Sequence, residues 1–250
     1  MKKILNSLNN LKKFGVNTIK KSFEDEGSSF DEVQLARNLT SILDMKLNVK
    51  IGGCEAKNDM IYCQKINVDG IIAPMIETPF AYKKFIQTSS KLNDLSLFIN
   101  IESKTGLLNL KNIISMSNIS LLDGIIIGRS DLVSSFGYSP DNVDSKKIFD
   151  KIIFALKIVK QKKLKTKMGG NLTYKSIEIT KELFKQKLID AIETRNIEIP
   201  VNSKTLKNMN DIISEALIFE TYFLDYLKNY HLNISKEFND RQNKIKDRIV

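Results

Sequence analysis

The chain has 250 residues, 42% of them hydrophobic, and a formal net charge of +10, enough apolar material for one large domain. No run of about 18 apolar residues occurs, which excludes a membrane-spanning helix. The two cysteines, Cys54 and Cys63, form neither a zinc pattern nor a disulfide framework, and the single histidine, His231, excludes a catalytic histidine elsewhere. The lysines are spread along the chain, and no finger spacing, basic zipper or RNA motif accompanies them. The expected partner is therefore a small anionic molecule, with no nucleic acid and no membrane.

In chain order, MKKILNSLNNLKKFG is basic but lacks a continuous apolar core. It reads as an amphipathic helix, not a signal peptide, so a cytoplasmic location is the default. Strands are predicted at Val16–Phe23, Leu47–Ile51, Gly70–Pro74, Ser96–Ile101, Gly124–Ile127, Leu164–Met168 and Ala191–Arg195. Helical periodicity lies between them at Phe30–Asp44, Glu55–Lys65, Pro79–Ser90, Leu107–Met116, Ser145–Gln161 and Ser176–Gln186. Strands alternating with helices predict a parallel sheet and an α/β, TIM-like (β/α) barrel. Seven strands are found where a barrel needs eight. The gap is expected at the front, as an atypical first strand. Residues 1–203 are expected to form the barrel and 204–250 a C-terminal helical extension. The apolar residues of IISEALIFETYFLDYL fall on more than one face, so it packs either on the barrel or on a neighbouring subunit of a homo-oligomer.

The active site of such a barrel lies at the C-terminal ends of its strands. Those ends carry acids and glycines: Glu24-Asp25-Glu26, Lys50-Ile51-Gly52-Gly53, Pro74-Met75, Asn100-Ile101-Glu102, Gly128-Arg129-Ser130-Asp131, Lys167-Met168-Gly169-Gly170 and Glu193-Thr194-Arg195. Any one acid or serine there is more often a helix cap than a ligand. Glu102 and Asp131 stand out because each directly follows an apolar strand. Two carboxylates make a hard oxygen site suited to Mg²⁺ or Mn²⁺. Gly52, Gly53 and Gly128 permit close backbone approach to a ligand, or else serve tight turns.

The segments VDGIIAPMIETPFA (68–81), FINIES (98–103) and LDGIIIGRSDLVSSFG (122–137) resemble the HpcH/HpaI aldolase and citrate lyase β-subunit family. The resemblance spans roughly residues 14–200. It implies a TIM-type barrel with Glu102 and Asp131 as metal ligands. It also implies a lyase that breaks or makes a C–C bond in a 2-oxo acid (pyruvate or oxaloacetate type) adduct through a metal-stabilised enolate. The substrate would lie against Asn100, Gly128, Ser130, Gly52, Gly53, Pro74 and Met75. The family's arginine and histidine are absent. Lys50 stands where the arginine falls, Glu26, Glu24 or a metal-bound water would have to serve in place of the histidine base, and Arg195 or Arg129 offers a guanidinium; Lys50, Glu26 and Arg195 are taken as the catalytic candidates. Two alternatives remain open: a CoA-thioester or phosphoenolpyruvate enzyme on the same barrel, with Lys50, Lys167 and Arg195 as phosphate contacts, and a non-catalytic binding protein.

Overall fold

The computed structural model describes residues 1–92 and 94–249. After helix α1 (Lys2–Lys13) the chain alternates β1 (Thr18–Ser22), α2 (Phe30–Leu43), β2 (Lys46–Lys50), α3 (Lys57–Lys65), β3 (Gly70–Ala73), α4 (Pro79–Ser89), β4 (Ser96–Ile101), α5 (Lys104–Ile114) and β5 (Gly124–Gly128). It continues with α6 (Arg129–Ser135), α7 (Lys146–Lys160), β6 (Lys165–Gly169), α8 (Ser176–Lys185), β7 (Ala191–Glu193), β8 (Ile197–Pro200), α9 (Ser203–Lys207) and α10 (Met209–Lys246). The eight strands close into one barrel.

The eighth strand is at the back of the chain, not the front. β1 to β7 pair in parallel, whereas β8 pairs antiparallel with both β7 and β1. The tight turn at Thr194–Asn196 makes β7 and β8 a hairpin, so β8 leads away from the mouth. Residues 129–135, which fall between the strand predicted at Gly124–Ile127 and the helix predicted at Ser145–Gln161, form the short helix α6.

Side-chain caps start several helices. Ser29, Thr78 and Ser103 each accept a backbone N–H from the first turn of α2, α4 and α5. Three aspartates stand just before β3, β5 and β7. Each accepts the N–H of a residue near the start of the preceding strand: Asp69 from Leu47 (2.8 Å), Asp123 from Leu97 (2.8 Å) and Asp190 from Thr166 (2.7 Å). These bonds hold the strand register from the barrel floor.

The outer strand faces, including Leu47, Ile71, Ile99, Ile125 and Ile192, pack with the helices as the main core. The inner faces differ from the usual layers of apolar side chains. Among the described residues only Ile72, Phe98 and Ile126 form an apolar cluster inside. Buried polar groups fill the rest, among them Lys50, Asn100, Lys167 and Glu193. α10 has 38 residues. Ile212, Ile213, Ala216, Phe219, Phe223 and Leu227 are buried, and the helix packs beside α1. From Lys228 onward it is exposed apart from the half-buried Ile234. Among the described residues no helix is long and apolar enough to cross a membrane.

Candidate active site

A cavity of about 410 Å³ opens at the C-terminal ends of the parallel strands. Of the residues named from sequence, Lys50, Asn100, Glu102, Gly128, Ser130, Asp131 and Arg195 all line it. Glu102 is 2% exposed and fixed on both oxygens: Oε1 accepts the Met75 N–H (2.9 Å) and Oε2 the Asn100 amide (2.8 Å). Gly128 makes room for it, since a Cβ there would stand 2.5 Å from Glu102 Oε2. Burial raises the Glu102 pKa against the opposing pull of Lys50. Asp131 sits in the first turn of α6, and no side-chain hydrogen bond or ion pair engages it among the described residues. Partial burial raises its pKa, with Lys50 again opposing.

Lys50 reaches Glu24 at 2.7 Å and Glu102 at 3.5 Å. Burial alone would lower its pKa, but Glu102, Glu24 and Asp25 reverse this and raise it. It is a fixed cation at neutral pH, not a base.

Other candidates lie elsewhere. Glu26 does not line the cavity; Lys21, Ser28 and Asn196 hold its carboxylate. Asp25 takes the inward place instead, because the chain turns out of β1 at Ser22, whose hydroxyl accepts the Asp25 N–H (3.2 Å). Gly52, Gly53, Pro74 and Met75 are not among the lining residues. Gly52 donates its N–H to Asp59 (2.7 Å), and Met75 serves through the backbone bond that positions Glu102. Arg129 is fully buried, tying Asp144 to the Gly169 and Gly170 carbonyls, so it faces no ligand. Lys167 lies deeper in the barrel, paired with Glu198 (2.6 Å) beneath the mouth. Burial pushes the Cys63 thiol up to about 12, which removes it as a nucleophile.

The structure adds Lys20, which the sequence does not single out. It lines the cavity and meets Glu193, from the end of β7, at 2.9 Å. Glu193 is 1% exposed, and its Oε1 has no partner. The Asn100 Oδ1 is likewise buried and unpaired. Leu217 and Glu220 of α10 complete the wall. The signal for Lys20 was alternation in TIKKS: every second residue of a strand faces one side, so the side opposite Ile19 is the barrel interior.

Residues 46–167 match the HpcH/HpaI aldolase/citrate lyase family. The match agrees with the resemblance carried by FINIES and GRSDL, and it spans β2 to β6 and both acidic candidates. Members of this HpcH/HpaI family are lyases, typically dependent on a divalent metal, which supports a lyase-type activity in general. Solved structures of similar fold include an HpcH/HpaI aldolase from Desulfitobacterium hafniense DCB-2 (9% identity, TM-score 0.60, covering 81% of this chain and 84% of that one). An HpcH/HpaI aldolase/citrate lyase family protein from Burkholderia cenocepacia J2315 is similar at 12% identity and TM-score 0.59, over 80% of this chain and 85% of that one. The citrate synthase variant SbnG gives 12% identity and TM-score 0.57, over 86% of this chain and 97% of that one. At these identities the likeness shows the barrel fold alone. No curated protein matches the sequence.

The donor set of this cavity fits a hard cation. Glu102 and Asp131 offer carboxylate oxygens, and Asn100 an unpaired amide oxygen close by. Among the described residues no three acids, cysteines or histidines gather as a ready-made metal cage. Mg²⁺ is commonly held by one or two carboxylates with water and substrate completing the shell. The lining carries three cations (Lys20, Lys50, Arg195) against five carboxylates (Asp25, Glu102, Asp131, Glu193, Glu220). Fully ionised, it has a net charge of minus two.

Proposed function

We propose that the protein is a divalent-metal-dependent carbon–carbon lyase acting on a 2-oxo acid adduct, with Mg²⁺ or Mn²⁺ held by Glu102 and Asp131. The observation that carries this reading is the charge of the cavity. An anionic keto acid would be repelled by a surplus of two carboxylates. One divalent ion removes that surplus and leaves Lys50 and Arg195 to meet the substrate. When bound, such an ion supplies Lewis-acid polarisation of the substrate's carbonyl.

The chain's own groups supply the rest. Lys50 is a buried cation beside Glu102, placed to stabilise negative charge developing on the 2-oxo oxygen as the C–C bond breaks. Backbone N–H groups of Ser130 and Asp131, in the first turn of α6, would donate hydrogen bonds to the substrate carboxylate. Arg195 is exposed on the β7–β8 turn and binds the distal end of the adduct. Asp25 lines the cavity, and hydrogen bonding from Ser22 and attraction to Lys50 outweigh burial to lower its pKa. It is the ionised carboxylate nearest the role first given to Glu26, accepting a proton from the adduct's hydroxyl. The burial of Lys167 against Glu198 takes one phosphate contact away from the CoA or phosphoenolpyruvate reading. The exposed apolar residues Leu232, Phe238 and Ile245 on the far part of α10 favour a homo-oligomer.

The test is release of pyruvate, oxaloacetate or glyoxylate from a panel of hydroxy-oxo acids with and without Mg²⁺. Release should require the ion and fall by about two orders of magnitude or more in Glu102→Gln and Asp131→Asn. Undiminished release after chelation would overturn the reading.

A further inference from the structure

The outer wall of the barrel is open between α5 and α7, where a groove of about 830 Å³ runs along the surface. On the α5 side Leu107 and Leu108 lie between Lys104 and Lys111, a spacing that sets all four on one helix face. On the α7 side Lys147, Lys151 and Phe154 repeat that spacing. Leu108 is 73% and Phe154 50% exposed, so the groove presents apolar surface to solvent.

Among the described residues none of these four lysines pairs with a carboxylate. Asp150, the one acid in the groove, pairs with Lys146 outside it (3.0 Å). The lysines rest on aromatic rings instead. Lys151 lies 4.4 Å and Lys104 5.9 Å from the Phe136 centroid, Lys111 5.7 Å from Phe154, and Lys147 6.0 Å from Tyr138. Such contacts are weak at a surface and leave the ammonium protons free for an anion.

We propose that this groove docks an acidic amphipathic helix of a partner protein, with apolar side chains on Leu107, Leu108 and Phe154 and carboxylates on the four lysines. Two helices flanking an apolar floor form the usual seat for such a helix. α5 has 11 residues and α7 has 15, so the seat spans about 16–22 Å, or three to four turns of a partner. Charge disfavours a second copy docked through the same groove, because its four unpaired lysines would face their own copies. A nucleic-acid strand needs free ring faces for its bases. Phe136 and Tyr138 already stack on each other (6.1 Å, 16°) and carry lysines, which leaves the bases no open platform.

The experiment is a fluorescence-anisotropy titration of the full chain. One probe is a labelled 18-residue helical peptide with leucine on one face and glutamate on the other. A same-composition peptide of scrambled order and a single-stranded RNA oligonucleotide are the comparisons. The amphipathic peptide should bind in the micromolar range and weaken as salt rises. The double variant Lys147→Glu/Lys151→Glu should weaken it by roughly tenfold or more, and so should Lys104→Glu/Lys111→Glu on the opposite wall. Both pairs lie on the surface, and their melting temperatures check that each variant is folded. Equal binding of the scrambled peptide, unchanged affinity in both folded double variants, or tighter binding of the RNA in the same groove would each overturn the proposal.

Discussion

Lys50 answers to two carboxylates at once, Glu24 at 2.7 Å and Glu102 at 3.5 Å, and its two effects on the site oppose each other. It competes with any cation for Glu102, yet in the proposed reaction it is the cation that meets developing negative charge. Lys50→Met should therefore leave divalent-ion affinity equal or stronger while turnover falls by about a hundredfold or more, a split that calorimetry and initial rates resolve. Loss of ion binding in that variant would contradict the assignment. The Lys20–Glu193 pair makes a pH prediction. Burial pushes the Glu193 pKa up, but Lys20, Lys167 and Lys50 more than reverse this and lower it below the ordinary 4.5. Its contribution is present above about pH 4.5 and is lost as the pH falls through the lowered value. The Lys20 contribution has the opposite sense: its pKa is raised, so stability is held below 10.5 and lost as the pH climbs past the raised value. In melting temperatures taken from pH 2 to 7, Glu193→Gln should be less stable than wild type at neutral pH, and the gap should shrink toward acid. Parallel curves would show that the pair is not ionised. The seven catalytic, metal and substrate candidates that line the cavity were legible because each sits at or just past a strand end. Glu26 was misplaced because a loop after the strand, not strand alternation, sets which acid of Glu24-Asp25-Glu26 turns inward.

At the scale of elements, seven strands were legible from apolar runs bounded by turn residues. β8 was hidden because Ile197–Pro200 follows β7 after a three-residue turn with no glycine, so IETRNIEIP passes for one segment. Parallel alternation also offered no reason to expect an antiparallel strand. The consequence is mechanical. β8 heads away from the mouth, so α10 returns along the barrel and brings Leu217 and Glu220 back to the cavity. Glu220 accepts the Asn196 N–H (2.7 Å) at the β7–β8 turn, which ties the helix to the loop carrying Arg195. A chain ending after Asn229 should keep barrel stability within about 0.5 kcal/mol, because the described residues it removes are exposed apart from the half-buried Ile234. A chain ending after Asn208 removes Phe219 and Phe223 from the core and should fail to unfold cooperatively. Thermal melts of the two truncations compare them directly, and equal melts would mean that α10 is not part of the core.

For the whole molecule, a polar interior distinguishes this barrel. Charged pairs on two levels, Lys20–Glu193 above and Lys167–Glu198 below, occupy space that an apolar core would fill at less desolvation cost. The upper level shares the mouth with Glu102 and Asp131, whose charge is what the proposed divalent ion would balance. The direct test is calorimetric titration of Mn²⁺ into the metal-free chain near pH 7, paired with melting curves. One ion per chain should bind, with a melting temperature that rises with ion concentration, equivalent to about 2.7 kcal/mol at a hundred times the Kd. Glu102→Gln and Asp131→Asn should each weaken that binding by roughly tenfold or more. Failure of the wild type to bind, or full affinity in both variants, would contradict the account.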